Sequence, residues 1–179
     1  MSSSHMLIKG GCPEFPHESL KAYNEMKYRS DIAHGNIIAL HSPAQNRFIR
    51  VCDKDVNGRG GYKDIDKLPV EWDSEKFLVV QVAESTFAFY SMLHDEYICM
   101  NDDLQVTART KSQQDDASSD KHHFVVQNVG WGKVTLLSVP QNNFVRMDLM
   151  GNIDGNAKVA NEWERYSVVL LMKNPHSTP

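Results

Sequence analysis

Short bursts of alternating apolar residues recur along the chain: Ile38/Leu40, Phe87/Phe89 and Val134/Leu136 each fill every second position of a run. That period belongs to a strand with one buried face. Each burst ends on a serine: Ser42, Ser91 and Ser138. A second run follows each serine: Phe48-Ile49-Arg50, Tyr97-Ile98-Cys99 and Phe144-Val145-Arg146. A closing run completes each unit: Phe77-Leu78-Val79-Val80, Phe124-Val125-Val126 and Tyr166-Ser167-Val168-Val169. The serines are 49 residues apart (42 to 91) and then 47 (91 to 138). Two of the closing strands run straight into the opening strand of the next unit.

Aligned without a gap, residues 41–50 and 137–146 share Ser, Gln, Asn, Phe and Arg at the same offsets, and residues 90–99 keep the Ser and the aromatic. Internal self-similarity of this kind marks a repeat architecture. A propeller repeats at about 40–45 residues per blade, but three blades are too few to close one. The expected fold is all-β: a β-trefoil of three pseudo-equivalent repeats (about 35–83, 84–130 and 131–172) in a domain spanning 35–172. The shared register places Phe48, Tyr97 and Phe144 at equivalent core sites on the second strand of each repeat.

Outside the repeats, residues 1–6 read as an expression remnant and 173–179 as a C-terminal tail. Residues 7–34 form an N-terminal extension in which Leu20, Tyr23 and Met26 share one face of a short helix. That helix is expected to pack as a lid on the open end of the barrel. Thr110 to Lys121 is polar and reads as a long, mobile loop within the second repeat.

Composition narrows the function classes. A formal net charge of -4 and a pI near 6.0 argue against a nucleic-acid partner. No apolar run approaches the roughly 18 residues of a membrane span. Cys12, Cys52 and Cys99 are too few and too scattered for a disulfide framework or a zinc site, so idle thiols in a reducing cytoplasm are expected. Asp53-Lys54-Asp55-Val56-Asn57-Gly58, with Asp64 at the twelfth place, matches the start of a calcium loop. Asp64 is too short to replace a bidentate Glu, and the flanks read as strands, so the segment is taken as a hairpin turn with no metal. His122-His123 sits at a loop-to-strand boundary, where adjacent side chains diverge. No nucleophile–base arrangement is recognisable, and neither catalytic residues nor cofactors are assigned.

Gly35-Asn36-Ile37-Ile38-Ala39-Leu40-His41-Ser42, Phe48-Ile49-Arg50 and Trp163-Glu164-Arg165-Tyr166-Ser167-Val168-Val169 together resemble the fascin-like branch of β-trefoils, over about residues 35–170. The chain departs from fascins in having one trefoil instead of four, and it lacks the Q-x-W signature of ricin-type lectins. The resemblance implies a non-catalytic module that binds filamentous actin, with Arg47, Arg50, Arg59 and Lys63 as a cation-rich contact surface. The alternative is a glycan-binding module. There the turn residues Gln45, Asn46 and Arg47, with Gln141, Asn142 and Asn143, would hydrogen-bond sugar hydroxyls, and repeated weak sites would gain by multivalency.

Overall fold

The computed structural model describes residues 30–110 and 120–176. The expected N-terminal helix and most of the polar loop of the second repeat lie outside the described residues. The first repeat contributes β1 (Ile37–Ser42), β2 (Arg47–Phe48), β3 (Arg50–Cys52), β4 (Asp55–Asn57) and β5 (Phe77–Ala83). The second contributes β6 (Thr86–Ser91), β7 (Glu96–Met100), β8 (Val106–Thr110) and β9 (Phe124–Gly130). The third contributes β10 (Lys133–Ser138), β11 (Phe144–Met147), β12 (Ile153–Ala157) and β13 (Tyr166–Met172).

The first and last strands of the repeats make a closed antiparallel ring. β1 pairs with β5, β5 with β6, β6 with β9, β9 with β10, β10 with β13, and β13 returns to β1. Closure gives each of these barrel strands a neighbour on both sides. The remaining strands form three hairpins that cap one end and brace one another. Asp55 of β4 pairs with Thr107 of β8, Gln105 bridges to Asp154, and Asn57 bridges to Asn152. This is the β-trefoil that the repeats predict.

The threefold relation holds residue by residue. His41 pairs with Phe48, Tyr90 with Tyr97, and Leu137 with Phe144. Four residues after each serine the backbone turns left-handed, at Asn46 (φ 50), Asp95 (φ 54) and Asn142 (φ 51). Asn and Asp tolerate that region better than other side chains with a Cβ, which explains the polar residue there. Phe77, Phe124 and Tyr166 open the closing strands, all fully buried, and each follows a 3-10 turn: Asp73–Glu75, Asp120–His122 and Glu162–Glu164.

One expectation about the core is corrected. The inward residues of the second strands are Ile49, Ile98 and Val145, all in the main hydrophobic cluster. The neighbouring aromatics face the other way. Phe48 is buried edge-on against His41, with ring centroids 4.8 Å apart, while Tyr97 and Phe144 are only half-buried. The repeat alignment stands, but the face is shifted by one residue, because successive side chains on a strand point to opposite sides.

At the barrel's other end Ile32 inserts into the core cluster, and the segment leading into β1 is tied down by hydrogen bonds. Asn36 donates to the carbonyls of Ser30 and Asp31, and the Gly35 amide donates to Val79.

Candidate functional site

The residues nominated from sequence lie in the first and third repeats, and most are turned to internal work. Gln45 is buried. Asn46 accepts from His41 Nε2 at 3.1 Å and donates to Asp64 at 3.0 Å. Arg47 donates to the Gly58 carbonyl at 3.0 Å, and its guanidinium lies 4.1 Å from the Tyr62 ring centroid. Arg59 donates to Asn152 at 2.6 Å and lies 3.7 Å from Asp55. Lys63 Nζ sits 5.5 Å from the Trp72 ring centroid. In the third repeat Gln141 donates to Asp102 at 3.1 Å. Asn143 is buried, donates to the Gly155 carbonyl and accepts from Lys158. Asn142 alone among the turn amides is exposed.

The calcium-like segment is a hairpin. Asp53 (φ 49) and Lys54 (φ 69) form the two-residue turn between β3 and β4, a left-handed pair that matches the twist of the flanking strands. Asp64 is engaged by Lys67 at 2.6 Å as well as by Asn46, and both hydrogen bonds hold its carboxyl below the ordinary value.

Arg50 has a different setting. It lines an open hollow of about 290 Å3 with Glu71, Trp72, Asp73, Ser74, Glu75 and Leu93. The wall is the 3-10 turn Asp73–Glu75 and the residues before it; the far side is the β6–β7 turn of the next repeat, which carries exposed Leu93. Glu75 is 3% exposed, and burial pushes its carboxyl above the ordinary value of 4.5, against the pull of Arg50. The nearest approach of the pair, Arg50 Nε to Glu75 Oε1, is 4.0 Å, and that buried nitrogen has no hydrogen-bond partner among the described residues. Gly60 packs against the pair: a Cβ there would meet Glu75 Oε1 at 3.0 Å and Arg50 Nη1 at 3.4 Å. Asp73 is held by Lys76 at 2.6 Å.

The position of Glu75 is taken by His122 in the second repeat and by Glu164 in the third, each closing the equivalent 3-10 turn. His122 packs on Tyr97 (centroids 5.4 Å apart) and on His123 (4.3 Å), and burial lowers both imidazoles from their ordinary value. The second repeat thus replaces the carboxylate with an imidazole, while the third keeps it. Of the nominated residues only Arg50 lines the hollow. Trp72, Glu75 and Leu93 were missed, although Glu75-Lys76-Phe77 echoes Glu164-Arg165-Tyr166 and marks the same turn.

Among the described residues, no helix is long and apolar enough to cross a membrane. Cys52 and Cys99 are free thiols, and burial raises the second above its ordinary value. No family model and no curated protein matches the chain in sequence. Among solved structures, the chain is similar to ThreeFoil, a designed 3-fold symmetric protein, with a TM-score of 0.61 at 9% identity over 75% of this chain and 99% of that one. At that identity the likeness establishes the β-trefoil fold, and the function has to be argued from the site.

Proposed function

We propose that the protein is a non-catalytic binding module whose ligand is a glycan, held in the hollow of the first repeat. The observation that carries this reading is the convergence of Trp72, Arg50 and Glu75 on one open hollow of about 290 Å3. A volume of that order sits at the lower end of small-ligand sites, about 300 Å3, and suits a single sugar ring. An indole offers an apolar face to a ring's C–H edge, while a guanidinium donates to hydroxyls and the exposed carboxylate of Glu71 accepts from them. All of these groups stand on the barrel rim and on a 3-10 turn braced against β3, so little order has to be gained on binding.

The filament-binding reading implied by the fascin-like resemblance would rest on Arg47, Arg50, Arg59 and Lys63. Arg50 opens on the hollow, and Arg47, Arg59 and Lys63 already have internal partners, in Gly58, Asn152 and Trp72. An acidic filament would have to compete for them, which places this reading second.

The test is a glycan panel run beside co-sedimentation with filamentous actin. Retention on a glycan, with elution by free sugar and loss in Trp72→Ala, is the expected result. Pelleting with filaments and no glycan retention would overturn the reading.

A further inference from the structure

The first and third repeats carry the same arginine at the same place, Arg50 and Arg146, eight residues after Ser42 and Ser138. Each faces the hairpin partner that β-pairing sets opposite it: Asn57 for Arg50 and Asp154 for Arg146. In the third repeat Asp154 clamps the guanidinium in two parallel contacts, Nε–Oδ1 at 3.1 Å and Nη2–Oδ2 at 2.7 Å. That fork-on-fork pairing is the geometry a guanidinium favours with a carboxylate.

In the first repeat the acid and the amide have changed places. The third repeat reads Asn152-Ile153-Asp154, and the equivalent first-repeat strand reads Asp55-Val56-Asn57. Asn57 has no negative charge to give and donates instead to Asp55 at 2.7 Å. Asp55 is drawn toward Arg59 on the outer side. Arg50 is thus left with a fork that no hairpin residue fills, a 4.0 Å approach to Glu75 as its nearest ion pair, and an opening into the hollow beside Trp72.

We infer that Arg50 is the anchor for a carboxylate on the ligand, so that the hollow selects acidic sugars of the uronic-acid class over their neutral counterparts. The inference rests on the glycan reading above and names the ligand class of that same site. The ligand's carboxylate would meet the Nη nitrogens of Arg50 from the hollow, in the role that Asp154 fills for Arg146 in the third repeat, and its ring would lie toward Trp72. Three carboxylates stand around the hollow, those of Glu71, Asp73 and Glu75, and Lys76 pairs with one of them. Asp73 is already paired, and Glu75 is shielded by burial.

The experiment is calorimetric titration of the full chain with oligogalacturonate and oligoglucuronate, against neutral galactose and glucose oligomers of equal length. A charge-assisted, bidentate contact should favour the acidic sugars by roughly tenfold or more. Arg50→Lys, which keeps the charge but loses the fork, should reduce that preference about tenfold. The exchange Asp55→Asn with Asn57→Asp rebuilds the third-repeat clamp on Arg50. It should bring the acidic-to-neutral ratio close to one while the melting temperature holds. If neutral and acidic sugars bind equally and the exchange changes nothing, the inference fails and the glycan reading stands. If neither kind of sugar binds, the glycan reading itself fails.

Discussion

Truncating Ile49 to Ala should destabilise the protein far more than truncating Phe144, although Phe144 is the larger side chain. Ile49 is 1% exposed and belongs to the central cluster with Val51, Ile98 and Val145, whereas Phe144 is half-buried on the opposite side of its strand. Removing a fully buried isoleucine side chain down to Cβ costs about 2–5 kcal/mol, part of it for the cavity left where neighbours cannot collapse. The barrel ring closes around this cluster, so little relaxation is available, and about 3 kcal/mol is expected. Phe144 keeps a water-exposed side, so only part of its apolar area is lost, and about 1–2 kcal/mol follows from scaling burial at roughly 25 cal/mol per Å2. For a chain of this size each kcal/mol moves the melting temperature by roughly 2–4 °C, which separates the variants clearly. Chemical denaturation monitored by tryptophan fluorescence would give both values. A Phe144→Ala loss equal to or larger than that of Ile49→Ala would refute the inward assignment of the aliphatic residue.

Three further outcomes follow. Asn142 sits at φ 51, so Asn142→Gly should be nearly neutral, while Asn142→Val should cost about 1–2 kcal/mol by forcing a β-branched residue into the left-handed region; thermal melts of the two variants decide it. Breaking the half-buried pair with Asp154→Ala should cost about 1–2 kcal/mol, less than the roughly 1.5–3 kcal/mol of a fully shielded hydrogen bond to a charge, and a double-mutant cycle with Arg146 should recover most of it as coupling. Glu75 is held above its ordinary carboxyl value by burial, so its ionised form opposes folding. The stability it contributes is present below pH 4.5 and is lost as pH rises through its folded value. Glu75→Gln should therefore gain stability relative to the parent as pH rises from 4 to 7, and a difference that stays flat over that range would contradict the burial argument.

The architecture was legible because its signal is long-range and redundant. An ungapped match between residues 41–50 and 137–146 carries register, and three equivalent closing strands carry the count of repeats. The facing of the second strands was not legible. Phe48-Ile49 and Phe144-Val145 each put two apolar residues side by side on a short strand, and hydrophobicity alone cannot say which of the two points inward. The cationic character of the first repeat could be read from sequence, but not its partners. Arg47 meets Gly58 and Arg59 meets Asn152 only through the hairpin seams, and the second of those contacts joins residues of different repeats. The hollow escaped for the same reason. Trp72 and Leu93 belong to separate repeats, and the β5–β6 pairing brings them to opposite sides of one hollow. The Asp55/Asn57 reversal against Asn152/Asp154 is visible in the letters, yet its meaning depends on knowing which of the two stands opposite the arginine.

The most direct test of the central claim is a backbone and side-chain NMR titration of the full chain with a panel of neutral and acidic glycans. The indole N–H of Trp72, the Nε–H of Arg50 and the amides of Ser74 and Leu93 should shift together, with one dissociation constant, while Asn142 and the third-repeat turn stay still. Shifts confined to the turns at Asn46 and Asn142, or none with any glycan at saturating concentration, would contradict the assignment of the first-repeat hollow as the binding site.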